Sequence, residues 1–541
     1  MEKEKGAKGI SLFIRQNKIP IFIFVILIAG LVAYSNIYKN QFLWDDEFMM
    51  QRNTFLQSFS NIPKIFTVSS SGGSGHLDNL YRPMQVVSYL FTFQIGGLNP
   101  LPFHILNILI HLSNAVLIFF LIKKIFKKDI LAFFTSLLWV VHPIHTEAVT
   151  YMSGTPDPLI TFFALMSFIL YIKFRESSKL HYILLSALSF VFALFSKETI
   201  VIFPGLLVIY EFINTEKRFS FKNLKSHLKN YYCTFIFLGI SIIYFIMRLT
   251  VLKFGDTLNF YTTANVYSSS LYFRILTFMA SLLTYYYLLF FPANLHMERN
   301  FPIFIDFFNW QIFLSLAILL ALGFILYTYL RKSEITQAGK IITFGILWFF
   351  ISFIPMSGII PVNSILLEHW LYFPSIGFFL LVAFLLTLLF ENKKYRTLSI
   401  SLVVVIVIIL LSITLARNKD WNNPVDFYNN ILKYEEGTAR VHNNLANAYS
   451  DQGIYQLAEK HYLIAIQMTD TYPQPHYNLA NLYLKKGDVS SAIAQLQRSI
   501  ELDPNFFYSY NLLGQIYQHE GNETLAQEYF DKAKSITYYT G

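Results

Sequence analysis

The sequence predicts an all-α protein built in two parts, a polytopic membrane helix bundle followed by an α-solenoid. Three observations predict it. Of the 541 residues, 54% are hydrophobic and only 14% charged, against roughly 25% charged in a soluble domain. Apolar runs near the length of a membrane span recur up to Leu415 and then stop. After Leu415 the chain repeats itself with a period of 34 residues. The 18% aromatic content and formal charge of +9 fit a bilayer protein with basic loops on one side, not a nucleic-acid binder. Cys233 is the single cysteine, which excludes an intrachain disulfide and a zinc knuckle.

The apolar runs lie near 19–38, 103–126, 129–141, 157–174, 181–195, 199–214, 231–253, 271–292, 308–330, 340–356, 370–390 and 396–415. Residues 1–18 hold Lys3, Lys5, Lys8, Arg15 and Lys18. The run after them is too long for a signal-peptide core and lacks a small-residue cleavage site. It reads as a retained first span with a cytoplasmic N-terminal tail. Basic clusters at Lys123-Lys124, Lys127-Lys128, Lys173 with Arg175, Lys217-Arg218, Arg331-Lys332 and Lys393-Lys394 mark the cytoplasmic side. They place the loop 39–102, the segment 142–156 and the turn at Ser196-Lys197-Glu198 outside. Holding Arg331-Lys332 and Lys393-Lys394 inside requires an odd number of crossings. The run at 271–292, with Arg274 and a terminal Pro292, is then expected not to cross. That leaves about 11 spans within 19–415.

Residues 416–541 form the second part. Asn444-Leu445-Ala446, Tyr449, Gly453, Ala458 and Tyr462 recur as Asn478-Leu479-Ala480, Tyr483, Gly487, Ala492 and Leu496. They recur again as Leu512-Leu513-Gly514, Tyr517, Gly521, Ala526 and Phe530. This is the tetratricopeptide pattern: small residues where two helices press together, an aromatic between them, and glycine in the turn. Repeats are expected near 440–473, 474–507 and 508–541, with a half repeat over 421–437 capping the array.

Chemistry points first to Asp45-Asp46-Glu47, at the exit of the first span. Repelling carboxylates at a membrane boundary are costly and usually functional, and Asp45 or Asp46 suits a general base. Arg82, between Tyr81 and Pro83, suits bidentate phosphate binding or interfacial snorkelling. Ser69–Gly75 before it reads as a flexible loop that yields to substrate. His104, Asn107 and His111 share a helix face and suit interhelical hydrogen bonds. His142, His145 and Glu147 resemble a metal site, but their spacing around Pro143 is not a clean helical ligand set, and no metal or other cofactor is expected. The acid triplet could also take a divalent ion, though a monophosphate donor leaves less charge to neutralise. Asp157 heads the next span. Lys197 suits phosphate binding or pairing with its neighbour Glu198. Glu368 and His369 open a late span on the same outer side. Ionisable groups thus converge on one face of the membrane.

Together Phe42–Glu47, Tyr81–Pro83, Phe103–Asn114, His142–Ala148, Lys197-Glu198, Glu368–Gly377 and the terminal repeats resemble the transmembrane and tetratricopeptide-repeat O-mannosyltransferases and their prokaryotic relatives. These are similar to the C-type glycosyltransferases. The resemblance implies that fold for residues 19–415 and an active-site role for Asp45 and Asp46. It implies a polyprenyl-phosphate-linked sugar (mannose or another hexose) as donor and a hydroxyl acceptor on the lumenal or extracytoplasmic side, with inversion. Arg82, Lys197 and His369 would hold the donor phosphate. The repeats would take a protein or peptide acceptor, with its Ser or Thr as the target. Two departures stand out. The family's Gly-Arg-x-Asp is here Gly154-Thr155-Pro156-Asp157, and its Glu-Arg is Glu368-His369. Two rival readings remain open: an oligosaccharyltransferase or ligase using a lipid-diphosphate glycan, and a non-catalytic membrane-anchored repeat scaffold.

Overall fold

A computed structural model describes residues 17–75, 79–214, 224–250, 252, 265–332, 335–362 and 364–539. The tail before residue 17 and the cluster Lys217-Arg218 lie outside the described residues. The chain divides into two compact units, one ending at Asn422 and one beginning at Asn423.

The first unit contains helices α1 (Lys18–Ala33), α2 (Pro83–Gly96), α3 (Pro100–Phe126), α4 (Asp129–Val140), α5 (Pro156–Ser177), α6 (Leu180–Leu194) and α7 (Phe203–Asn214). It continues with α8 (Leu224–Thr250), α9 (Leu271–Phe290), α10 (Trp310–Leu330), α11 (Gln337–Phe353), α12 (Ser375–Glu391) and α13 (Arg396–Lys419). Local signals set several boundaries. The Asn99 side chain caps the Leu101 N–H just ahead of α3, and Pro100 opens that helix, where a missing N–H costs nothing. Lys127 closes α3 in the left-handed conformation. Pro143 breaks the run after α4, and the chain bends by 54° into the segment 143–149.

Among the described residues, seven helices are long and apolar enough to cross a membrane, or eight if that bent pair counts as one span. The chain is a multi-pass integral membrane protein, but the expected 11 spans are not what the helices show. The reason is length. A 12-residue helix such as α7 reaches only ~18 Å, against a hydrocarbon core of ~30 Å. The apolar runs at 129–141, 181–195, 199–214 and 370–390 fold into helices of 12, 15, 12 and 17 residues. The run at 271–292 also differs from expectation: α9 is an unbroken 20-residue candidate span. Its Arg274 is satisfied by the carbonyl oxygens of Gly358, Tyr267 and Ser268.

The main core lies among α3, α4, α5, α11 and α12, around the fully buried Trp139, Trp348 and Phe168. Helices α11 and α12 meet at paired glycines. A Cβ on Gly377 would collide with the Gly345 carbonyl oxygen and lie 2.9 Å from the Phe349 nitrogen. The loop after α1 is fastened by asparagines. Asn418 donates to the Ala33 carbonyl and the Asn36 side chain, both at 2.8 Å, and accepts from Thr150 at 2.8 Å. Asn40 donates to the Asn418 carbonyl at 3.1 Å, so α13 holds the exit of α1. The segment Ser69–Gly75, expected to be flexible, is pinned: Asn53 bonds the Ser70 carbonyl at 3.3 Å, and Thr54 bonds the Gly73 carbonyl at 2.7 Å.

The second unit is α14 (Pro424–Tyr434) followed by three helix pairs: α15 (Ala439–Asp451) with α16 (Tyr455–Met468), α17 (Gln474–Lys485) with α18 (Val489–Leu502), and α19 (Phe507–His519) with α20 (Glu523–Tyr539). Gly453, Gly487 and Gly521 end the first helix of each pair with φ of 75°, 81° and 79°, a conformation glycine adopts without cost. Ala446, Ala458, Ala480 and Ala492 are fully buried between the helices.

Replacing Gly377 with alanine forces α11 and α12 apart. It is expected to cost ~1–3 kcal/mol, seen as a lower melting temperature of the detergent-purified protein. A wild-type melting temperature would show that the close approach is not needed.

Candidate active site

The structure separates the three acids. Trp44 has φ of +52°, a left-handed conformation that costs a bulky residue energy and tends to mark functional turns. Asp46, directly after that turn's Asp45, is fully buried. Its Oδ2 accepts the Leu43 N–H at 2.8 Å, and its Oδ1 accepts the Ser153 N–H at 2.9 Å and the Ser153 hydroxyl at 2.5 Å. Burial pushes the Asp46 carboxyl up to about 7, against the pull of these three donors, and the charge of Asp45 adds to the rise. Asp45 itself is exposed, and its N–H donates to the Tyr151 hydroxyl at 3.1 Å. Glu47 turns to Arg52 at the surface, 2.5 Å away.

A second group of charges is buried nearby. Lys197 bonds both oxygens of Asp157 at 2.8 Å, and the two side chains are 5% and 6% exposed. Lys197 therefore pairs with Asp157 and not with its sequence neighbour. His369 Nδ1 lies 2.8 Å from Glu147 Oε1, its N–H donates to Glu147 Oε2 at 3.0 Å, and its Nε2 is 3.9 Å from Asp157. Glu198 faces Arg82 at 3.4 Å and Arg248 at 3.7 Å. Burial alone would raise the Glu198 carboxyl, but the two guanidiniums hold it down to about 2. Glu368 accepts from Arg299 at 2.8 Å and from the His296 N–H at 2.7 Å, and lies 3.6 Å from Arg417. Burial raises the Glu368 carboxyl even against Arg417 and Arg299.

Tyr151 joins the two groups. Its ring stacks on Trp421 with centroids 5.5 Å apart. The Arg417 guanidinium lies 5.2 Å from the Trp421 ring centroid. Asp45 is thereby linked through Tyr151, Trp421 and Arg417 to Glu368.

Of the expected site residues, Glu147, Asp157, Lys197, Glu368 and His369 come together, and Arg82 meets Glu198. His142 and His145 do not join them. His145 bonds the Ser375 hydroxyl at 3.1 Å and packs on Trp139, while His142 packs on Phe379. Among the described residues no group of three or more His, Cys, Asp or Glu is arranged to hold a metal ion. His104, Asn107 and His111 tie α3 to the Asn40, Val149 and Val140 carbonyls, an interhelical use. Sequence reading missed Arg248, Arg299 and Arg417. Arg248 and Arg417 carried a usable signal, because an arginine inside or at the end of an apolar run is functional by default.

Parts of the sequence resemble known proteins. Residues 83–245 match the model of the dolichyl-phosphate-mannose-protein mannosyltransferase family. Residues 480–521 and 507–538 match tetratricopeptide repeat models. The Caenorhabditis elegans protein O-mannosyl-transferase F38B6.6 is 26% identical over 463 residues, 83% of this chain and 63% of that protein. Mouse protein O-mannosyl-transferase TMTC3 is 25% identical over 522 residues, 91% of this chain and 55% of its own. The chain is similar in sequence to the protein O-mannosyl-transferases. It spans 55% to 63% of the length of these two relatives. Among solved structures, an apo oligosaccharyltransferase of Archaeoglobus fulgidus aligns over 93% of this chain and 72% of its own at 11% identity, with a TM-score of 0.41.

Two tests separate structure from function at this site. Lys197→Met leaves Asp157 buried without its cation and should cost ~3–5 kcal/mol. Adding Asp157→Leu should recover much of that loss in a melting experiment, and no recovery would contradict the pairing. Asp46 gives a pH signature. The native state keeps its proton up to about 7, whereas an unfolded aspartate releases it near ~3.9. Its stabilising contribution is thus full below ~4 and lost as pH rises through 7. The melting temperature of wild type relative to Asp46→Asn should fall between pH 4 and 7, and a flat difference would refute the assignment.

Proposed function

We propose that the protein transfers a single mannose or other hexose from a polyprenyl-phosphate donor to a Ser or Thr hydroxyl of a polypeptide, on the lumenal or extracytoplasmic face. Asp45 acts as the base and Asp46 holds it in place. The observation that carries this reading is the unequal treatment of two adjacent aspartates. Asp46 is buried and engaged by three donors, whereas Asp45 is exposed beside a strained Trp44. In the step itself the acceptor oxygen attacks the anomeric carbon while its proton passes to Asp45. The bond from the anomeric carbon to the phosphate oxygen breaks, and the phosphate leaves on its lipid with the bonding electrons. Attack opposite the leaving group inverts the anomeric centre.

Cations stabilise the departing phosphate. Arg82, Lys197 and His369 each face a carboxylate in this structure, so donor binding shares or replaces those partners. The family's arginines are missing at Thr155 and His369. Arg299 and Arg417, which meet at Glu368, supply guanidiniums to the same neighbourhood. The family model and the TMTC relatives support mannose as the sugar and protein as the acceptor.

Loss of a positioned base typically costs ~10²–10⁴ in rate. Asp45→Asn should therefore lower transfer from polyprenyl-phosphate mannose to a Ser/Thr peptide by that factor, with unchanged membrane expression and melting temperature. Wild-type transfer by this variant would rule out Asp45 as the base. Mass spectrometry of the product should show one hexose, and a block of several sugars would favour a lipid-diphosphate ligase.

A further inference from the structure

The first repeat contains two histidines that meet through the same ring atom. His442 on α15 and His461 on α16 bring their Nδ1 atoms within 2.9 Å. The ring centroids are 5.2 Å apart and the planes differ by 18°. That is as far apart as such a contact allows, so the rings meet edge to edge with the two nitrogens pointing at each other. His442 Nε2 lies 3.2 Å from the Glu436 carbonyl. A carbonyl only accepts, so this Nε2 carries a hydrogen, and the neutral ring leaves Nδ1 bare. His461 Nδ1 must then donate, which leaves its own Nε2 bare. A single hydrogen holds the pair. His461 Nε2 can take one more proton without breaking it. A proton on His442 Nδ1 sets two hydrogens head to head and two charged rings against each other.

The equivalent positions of the other repeats lack this weakness. Moving on by 34 residues replaces Glu436, His442 and His461 with Asp470, His476 and Gln495. His476 Nε2 lies 2.7 Å from Asp470 Oδ1, and its Nδ1 lies 2.6 Å from Gln495 Oε1. Both nitrogens face acceptors, so a ring with two hydrogens keeps both bonds. A further 34 residues bring Tyr510 and Tyr529, whose ring centroids are 6.4 Å apart, and no imidazole.

The groups around His442 and His461 offer no relief. His442 is 7% exposed. Tyr449 of α15 stacks on His461, and Lys460 adds positive charge beside it. Asp451 of α15 and Glu459 of α16 face Lys485 and Lys486 instead. On α14, Asp426 bonds Asn423 and Lys433 lies over Tyr434. Among the described residues no carboxylate pairs with either ring. Burial lowers both imidazoles, His461 down to about 4, with His442 and Lys460 adding to the fall at His461.

We propose that the His442–His461 contact is an acid-sensitive latch, which holds α15 against α16 near neutral pH and opens the first repeat, and not the other two, in an acidic environment. The closed pair holds at most one added proton. In the opened repeat each ring takes its own proton below ~6.5. The open form therefore binds more protons, and a falling pH favours it.

The test is amide hydrogen exchange of the full-length protein in detergent, read by mass spectrometry at pH 7 and pH 5 and corrected for the intrinsic pH dependence of exchange. Each extra proton taken up on opening shifts the equilibrium by about tenfold per pH unit below ~6.5, so protection of wild type across 439–468 should fall by at least ~tenfold. Protection across 474–502 should change by less than about threefold. His461→Gln gives the first repeat the His–Gln pair that the second already uses, and should cut the acid loss across 439–468 to less than about threefold. Unchanged protection of 439–468 in wild type at pH 5, or an equal fall in both repeats, would overturn the proposal without need of the variant. So would an undiminished fall in His461→Gln.

Discussion

Asp46 places a carboxyl group out of reach of water, and burying such a group unpaired costs several kcal/mol. Three donors from Leu43 and Ser153 offset that cost. In doing so they join the loop after α1 to the segment that follows the bent helix pair. The clamp also fixes the turn at Trp44, whose left-handed backbone would otherwise relax. Asp45 emerges from this turn with its main chain bonded to Tyr151. A base next to a membrane surface needs a fixed direction more than it needs an unusual charge state, and the buried neighbour supplies the direction. The asparagine contacts of Asn36, Asn40 and Asn418 extend the same restraint to the last span.

The rest of the site follows from pairing buried charge. Lys197 with Asp157 and His369 with Glu147 satisfy one another, as buried ionisable groups must. Such pairs are poor evidence for stability. A phosphate can take over part of a carboxylate's role at each cation. Arg299 and Arg417 meet at Glu368, and Trp421 contacts both Arg417 and Tyr151. Asp45 and Glu368 are thus joined through Tyr151, Trp421 and Arg417 within one unit.

Much of this was legible in the sequence, unevenly. The 34-residue repeat was read residue by residue, because glycine at Gly453, Gly487 and Gly521 answers a backbone demand that nothing else meets cheaply. The convergence of Glu147, Asp157, Lys197, Glu368 and His369 followed from their placement at the ends of apolar runs. The number of spans did not follow, because an apolar run of 12 to 17 residues looks the same whether it faces lipid or packs between helices. Asp45 and Asp46 could not be told apart, since identical neighbours differ only in which way a turn points them. Lys197 was offered Glu198 by proximity in sequence, whereas folding brought Asp157 closer. His142 and His145 looked like ligands, but the Pro143 break turns them into an aromatic cluster with Trp139 and Phe379.

The central claim is that Asp45 takes a proton from the acceptor, and the acceptor's own acidity tests it most directly. A serine hydroxyl needs a base far more than a cysteine thiol, whose pKa is near ~8.5. Single-turnover rates should be measured for wild type and Asp45→Asn with a matched pair of peptides, one bearing Ser and one bearing Cys at the target position. The account predicts a large rate loss with the Ser peptide that shrinks at least tenfold with the Cys peptide. An equal loss for both peptides would mean that Asp45 acts by some route other than proton removal.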